Sequence, residues 1–354
     1  MPSRAEKWHR LINGERRGPG ATLARFGLRL ASWPYGLGSW GRNRLFDVGW
    51  KRIHRAPVPV VSVGNLTLGG TGKTPCVEYV AGFYRDLGIR VAILSRGYGS
   101  EVGRNDEAMV LEENLPDVPH LQGPDRVSLA AAAVEELEAE LLVLDDGFQH
   151  RRLHRDLDIV LIDATRPPFR DALFPRGTLR ESVRGLRRAN AILLTRCDQV
   201  NPGELTAIRA WLAQRFPRKP VTTTEHRPTE LMGGTEPEPA SSLDGKPVAA
   251  FCGIGNPAAF RRTVESLGAT VVDSRTLADH HAYTRADVEE LARWAAALPA
   301  GTLVLTTQKD WVKLRLAELG GRPLRAVRVG LTFREGGEAF DAELRRVAPP
   351  AENE

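Results

Sequence analysis

Residues 62–75 read SVGNLTLGGTGKTP. The apolar, β-branched run VPVVSV at 58–63 feeds this stretch, and a helical pattern follows from Pro75 to about Leu87. A strand, a glycine-rich turn and a helix are the local order of a phosphate-binding loop. The backbone N–H groups of the turn and the helix N-terminus cradle an anion. Gly72, Lys73 and Thr74 match the end of the G-x-x-x-x-G-K-[ST] pattern, with Gly69, Gly70 and Thr71 in the turn. Thr67 stands at the first glycine position, which sets turn geometry and supplies no ligand. In such a loop Lys73 pairs with the β- and γ-phosphate oxygens of a nucleotide, and the Thr74 hydroxyl ligates Mg²⁺. The competing reading is a glycine-rich connection that carries a lysine by chance.

The runs RVAILS (90–95), LLVLDD (141–146), DIVLID (158–163) and AILLT (191–195) are apolar without alternation, and helical patterns such as 126–139 separate several of them. Strands of that kind are buried on both faces, which predicts a largely parallel sheet flanked by helices, a P-loop NTPase-like α/β core over residues 56–226. Residues 227–247 are rich in Pro, Gly, Ser and Thr and read as a linker or exposed ribbon. A second, smaller α/β lobe is expected over 248–335, and residues 336–354 read as a charged, frayed tail.

Charge is uneven. Residues 1–55 hold 12 Lys and Arg against 3 Asp and Glu, so the rest of a chain of net charge +5 is net negative. The same segment holds Trp8, Trp33, Trp40 and Trp50, four of the seven tryptophans. On a helix Leu23, Phe26, Leu30 and Trp33 fall within an arc of roughly 80°, with Arg25 and Arg29 on another face. Arginine with interfacial Trp and Leu is the composition of a segment lying on an anionic bilayer. The plainer reading is a helix packed on the domain with a solvated basic face; a nucleic-acid patch is disfavoured because no basic stripe continues beyond it. No run of about 18 apolar residues and no secretory h-region is found, so nothing is expected to span a membrane. Cys76, Cys197 and Cys252 are scattered without metal-ligand or disulfide spacing, as in a reducing cytosol.

LLVLDDGFQH (141–150) ends a buried strand in Asp145 and Asp146, where a metal-binding acid is needed beside a phosphate loop. Its plainer reading is a strand that ends in a solvated acidic turn. Gln149 and His150 follow directly. Phosphoryl transfer to an alcohol also needs a group that accepts the hydroxyl proton, and Asp106 and the pair His280–His281 are candidates. LLTRCD (193–198) resembles the N-K-x-D guanine reader of GTPases with Thr and Arg substituted, or else is a strand end capped by Asp198.

GNLTLGGTGKTP (64–75), SRGYG (95–99), LDDGFQH (144–150), FPRGTLRE (174–181), ADHHAYT (278–284) and TQKDWVKL (307–314) occur in that order. Together they resemble the tetraacyldisaccharide 4′-kinases of lipid A biosynthesis, over roughly residues 10–330. The resemblance implies a membrane-associated P-loop kinase of two α/β lobes. It would transfer the ATP γ-phosphate, with Mg²⁺, to the 4′-hydroxyl of an acylated glucosamine disaccharide at the cytoplasmic face of the inner membrane. It implies a lipid substrate, an anionic membrane surface, no nucleic acid and a monomeric chain. By resemblance Lys73 and Thr74 serve the phosphates and Mg²⁺, Asp145, Asp146 and Glu181 the metal, and Arg126, Gln149, His150 and Arg180 the nucleotide site. Asp106 matches an Asp that acts with the His of a DH motif, here His280, as the base for the sugar hydroxyl; His281 beside it leaves a swap open. Asn105 stands where the family's motif has Gly, and Gln308 where it has Glu. Two other classes remain at this stage: a GTPase or metallochaperone switch that reads guanine through LLTRCD, and a membrane scaffold that binds nucleotide without chemistry.

Overall fold

The computed structural model describes residues 4–97 and 106–350; Tyr98, Gly99 and Asn105 lie outside the described residues. The chain begins with α1 (Arg4–Ile12), α2 (Pro19–Asp47), β1 (Val60–Asn65), α3 (Lys73–Asp86), β2 (Val91–Ser95), α4 (Asp106–Asn114) and β3 (His120–Gln122). It continues with α5 (Arg126–Leu137), β4 (Leu141–Asp145), β5 (Leu157–Asp163), β6 (Ala191–Thr195), α6 (Pro202–Arg215), β7 (Val221–Met232) and β8 (Glu238–Pro239). The last part holds β9 (Pro247–Cys252), α7 (Pro257–Ser266), β10 (Thr270–Thr276), α8 (Arg285–Ala296), β11 (Leu303–Thr307), α9 (Gln308–Leu314), β12 (Glu318–Leu319), β13 (Arg322–Glu335) and α10 (Gly337–Val347). By packing these fall into two units: residues 1–96, 121–225 and 333–354, and residues 97–120 and 226–332.

In the first unit β2, β4, β1, β5, β6 and the start of β7 pair in that order, all in parallel. Every residue of β1, β2, β4, β5 and β6 is buried. That is what continuous Val/Ile/Leu runs require, since a parallel sheet is covered on both faces. The register sets Val63 opposite Asp145 and Asn65 opposite Leu161. The acid that ends β4 therefore sits at the same sheet edge as the loop after β1, the edge where open α/β sheets bind ligands.

The second unit pairs β10, β9, β11 and β13 in parallel. Two apolar clusters cover its faces, one with Phe260, Val264, Leu243 and Leu231, the other with Leu291, Trp294 and Leu298.

Three boundaries differ from those read in the sequence. Residues 227–247 are an ordered ribbon: β7 runs on to Met232, pairs antiparallel with β8, and Leu231 and Leu243 are fully buried. Two buried leucines among many turn formers are enough to anchor it. Residues 336–354 include α10, whose Phe340, Leu344 and Val347 are buried, while Tyr84 Oη donates to Leu344 O at 2.8 Å. A three-residue apolar stripe at helical spacing, diluted by charges, is a weak signal. Residues 106–120 group with the second unit although they follow β2 of the first.

α2 carries two contrasting faces. Ser32 Oγ donates to Leu173 O (2.9 Å), Tyr35 Oη to Arg180 O (2.9 Å), and Asn43 Nδ2 to the Glu181 carboxylate (2.9 Å). On the opposite side Leu23, Phe26, Leu30, Trp33, Leu37 and Trp40 are exposed, Leu23 by 72% and Trp33 by 77%. Among the described residues no helix is long and apolar enough to cross a membrane.

Candidate active site

The loop after β1 is held from several sides. Leu68 N–H donates to Thr178 O (2.8 Å), and Thr67 pairs with Leu179 as an antiparallel bridge. Thr67 is thus extended backbone, which explains why no glycine is needed there. Gly69 (φ 101°) and Gly72 (φ 84°) take the left-handed values that glycine adopts without steric cost, and Gly72 caps α3. A Cβ on Gly69 or Gly70 would meet nothing within 4 Å, so the turn keeps an open face. Thr71 is buried; its Oγ1 accepts from Asn65 Nδ2 (2.8 Å) and its carbonyl from Thr195 Oγ1 (2.9 Å).

Lys73, at the first turn of α3, places Nζ 3.6 Å from Asp146 Oδ1, and Arg180 donates to Asp146 Oδ2 at 2.6 Å. Burial pushes the Asp146 carboxyl up, but Lys73 and Arg180 outweigh it, and the net displacement is below the ordinary carboxylate value. Asp145 and Thr74 are both buried. Gln149 Nε2 donates to Asn65 O (2.8 Å) and Glu181 Oε1 (3.1 Å), while its Oε1 accepts from Arg180 (3.2 Å). Arg126 is buried after its N-cap Asp125, and its charge acts on both Asp146 and His150. Burial first, then Arg126 and its neighbours, lowers the His150 pKa to about 4, so that imidazole is neutral at pH 7.

Glu181 is 1% exposed, and its carboxylate takes both oxygens to Arg188 (2.9 and 3.0 Å) as well as Asn43 and Gln149. Among the described residues no group of three or more His, Cys, Asp or Glu side chains is arranged to hold a metal. Arg188 and Asn43 carry no sequence signal: one lies in a short turn after Glu181, the other on α2, 138 residues from its partner.

The LLTRCD stretch serves the loop. Thr195 binds the Thr71 carbonyl, and Arg196 donates to Gly70 O (2.8 Å) while pairing with the buried carboxylate of Asp163. Asp198 is exposed in the turn that follows.

The acid–base candidates meet in the second unit. His280 Nδ1 lies 3.1 Å from Asp106 Oδ2, the first residue of α4. His281 instead places Nε2 3.2 Å from Asp287, the acid of the capping box that starts α8. The geometry pairs Asp106 with His280. Burial pushes Asp106 up, but hydrogen bonds from His280 and Lys313 reverse this and bring it to about 2. The Asp106 hydrogen bond raises His280, against burial, which lowers it. Gln308, buried in α9, is tied by its amide to Asn114 of α4 and is occupied structurally.

A strand-loop-helix cradle with Lys73 and Thr74, an acid-ended neighbouring strand and an Asp–His pair define a P-loop phosphotransferase. The Tetraacyldisaccharide-1-P 4′-kinase (LpxK) family matches residues 24–348. A tetraacyldisaccharide 4′-kinase of Anaeromyxobacter dehalogenans (strain 2CP-C) is 42% identical over 353 residues, covering 93% of this chain and 92% of the relative. One of Syntrophus aciditrophicus (strain SB) is 38% identical over 320 residues, covering 81% and 83%. The crystal structure of "apo" form LpxK from Aquifex aeolicus in complex with ATP superposes with a TM-score of 0.76 at 32% identity, covering 92% of this chain and all of that one. The chain belongs to the tetraacyldisaccharide 4′-kinase family.

Proposed function

We propose that this enzyme transfers the γ-phosphoryl group of ATP to the 4′-hydroxyl of a tetraacylated glucosamine disaccharide 1-phosphate, giving lipid IVA in lipid A biosynthesis. We propose further that it acts as a monomer bound peripherally to the cytoplasmic face of the inner membrane. The observation that carries the reading is the Asp106–His280 pair, 3.1 Å apart, in a chain whose phosphate loop sets Lys73 beside Asp146 and Arg180. Phosphoryl transfer to an alcohol needs groups that bind the donor phosphates and a group that accepts the hydroxyl proton, and the chain supplies both.

On the donor side, Lys73 and the N–H groups of the loop bind the β- and γ-phosphates, and Arg180 adds a cation where negative charge spreads in the transition state. Thr74, Asp145 and Asp146 would hold Mg²⁺, since they are hard oxygen donors and the buried Asp146 Oδ1 accepts no hydrogen bond. The bound ion supplies neutralisation of phosphate charge. Glu181 acts on this site through Gln149, which also accepts from Arg180. On the acceptor side, Nδ1 of His280 is committed to Asp106, and Nε2 takes the hydroxyl proton. The sugar oxygen then forms the new O–P bond, and ADP leaves with the electron pair of the bond that breaks.

The membrane reading is supported by the exposed apolar face of α2 from Leu23 to Trp40, and by a cavity of about 720 Å³ beside it. Arg29, Trp33, Arg166, Arg170 and Arg176 line that cavity, a composition suited to anionic lipid.

The test is transfer of label from γ-labelled ATP to the acylated disaccharide in mixed micelles with Mg²⁺. Lys73→Ala and Asp106→Asn are each expected to lower kcat by about 100-fold or more. Absence of transfer by the unaltered protein overturns the proposal.

A further inference from the structure

Lys313, in the last turn of α9, is a half-buried lysine that the reaction as described does not use. Its side chain is 12% exposed, and Nζ lies 2.8 Å from Asp106 Oδ2, the same oxygen that faces His280 Nδ1. Nζ also donates to His281 O at 3.1 Å and stands 3.9 Å from Asp310 Oδ1. Asp310 is fully buried, and its oxygens are already taken by Gly253 N–H (3.0 Å), Thr307 Oγ1 (2.6 Å) and Tyr283 Oη (2.9 Å). The ammonium is therefore anchored from below and aimed at Asp106.

We propose that Lys313 is a positioning residue for the proton-accepting pair: its ammonium fixes the Asp106 carboxylate by the oxygen shared with His280 and sets the pH window in which the pair takes a proton. This rests on the reading of Asp106 and His280 as that pair. An imidazole bound to an otherwise unpaired carboxylate gains so much basicity that it stays protonated, and a protonated imidazole accepts nothing. An ammonium on the same oxygen, 2.8 Å away, opposes that field, and His280 still stands above its ordinary value under the Asp106 hydrogen bond. The ammonium also keeps Asp106 anionic when the proton arrives, so the proton stays on the imidazole. The low value at Asp106, about 2, agrees with this geometry.

The other charges around the pair are accounted for among the described residues. From the loop before α8, Asp279 lies 3.9 Å from His280 Nε2, and His281 is engaged by Asp287. From α9, Lys309 acts on His280 from a distance and is paired with Glu107 of α4 at 3.0 Å. Lys313 is the cation in direct contact with Asp106, so its removal is not masked by these groups.

The experiment compares pH profiles of kcat for the full-length protein and for Lys313→Met, Lys313→Arg and Asp106→Asn, with the ATP KM and melting temperature as folding controls. Lys313→Met is expected to move the acidic limb upward by about one pH unit, so that the rate below the limb falls about tenfold while the high-pH plateau stays within about twofold. Lys313→Arg, which keeps the charge, restores the original limb. If the methionine variant does not fold, Lys313→Gln repeats the test with the charge removed and a donor to His281 O kept. A limb that stays in place, with or without a lower plateau, overturns the proposal. Should Asp106→Asn abolish transfer while the Lys313 limb does not move, only the role of Lys313 fails; an active Asp106→Asn enzyme means that the pair itself was misassigned.

Discussion

Arg196→Met tests whether the TRCD stretch shapes the phosphate loop. The substitution removes a charge-assisted hydrogen bond to Gly70 O at 2.8 Å and strips the buried Asp163 of its cation. Asp163 keeps two bonds on its other oxygen, from Thr165 N (2.9 Å) and Thr165 Oγ1 (2.7 Å), so the carboxylate is not stranded. A hydrogen bond from a charged donor contributes about 1.5–3 kcal/mol, and the 31% exposure of Arg196 keeps this one to about 2–2.5 kcal/mol. Part of that loss is global, about 1 kcal/mol or about 2 °C in Tm for a chain of this length. The rest is paid when ATP must reorder a loosened loop, which at about 1–1.5 kcal/mol raises the ATP KM by about five- to tenfold. Thr195→Val removes the neighbouring neutral bond to Thr71 O (2.9 Å) and is expected to raise it about threefold. The assay is steady-state kinetics with each substrate varied at saturation of the other, with GTP alongside ATP. An ATP KM within twofold of the original in a folded Arg196→Met enzyme refutes the brace. A change in ATP-over-GTP preference would instead revive guanine reading by this motif.

Two glycines of the same region should part company. A Cβ on Gly64 would lie 2.6 Å from Phe148 Cβ and 2.8 Å from Phe148 N, so Gly64→Ala must push β1 away from backbone. The expected cost exceeds the usual 1–3 kcal/mol or so of overpacking and lowers Tm by several degrees, read by calorimetry. Gly70→Ala meets nothing within 4 Å and has an ordinary φ, so Tm should hold while the ATP KM rises because the methyl stands where phosphate approaches. At the membrane face, Trp33→Glu with Trp40→Glu is expected to weaken sedimentation with anionic vesicles by about tenfold or more, with kcat in detergent little changed. Unaltered vesicle binding would remove α2 as the anchor.

The first unit was legible because its signals are local and redundant. Uninterrupted runs such as LLVLD leave a strand no option but burial on both faces, and the glycines after β1 admit few conformations besides a tight turn. What escaped was non-local. Asn43 reaches Glu181 across 138 residues, and Asp163 and Arg196 meet only because β5 and β6 pair in register. Asp106 and His280 are 174 residues apart, and two adjacent histidines cannot be told apart from spacing. The structure separates them because His281 is drawn to the capping box of α8 while His280 turns the other way. Lys313 did leave a trace: it is three residues from Asp310 on one helix face, in a motif already singled out.

The backbone carries an independent mark of the same residues. Among the described residues, five other than glycine have positive φ: Glu138, Asp146, Arg196, His280 and Arg315. Glu138 and Arg315 are the C-caps of α5 and α9, where the left-handed conformation is an ordinary way to end a helix. The other three end no α-helix, and each costs on the order of 1–2 kcal/mol unless its surroundings over-determine it. All three are so held. Asp146 is gripped by Lys73 and Arg180, Arg196 by Asp163 and the Gly70 carbonyl, and His280 by Asp106 and a bond from its own N–H to Gly253 O at 3.1 Å. In each case the partners that hold the strained backbone are the groups assigned to phosphate binding, loop support or proton transfer. The side-chain contacts and the backbone geometry therefore support one another, and removing a partner should loosen the position as well as the chemistry.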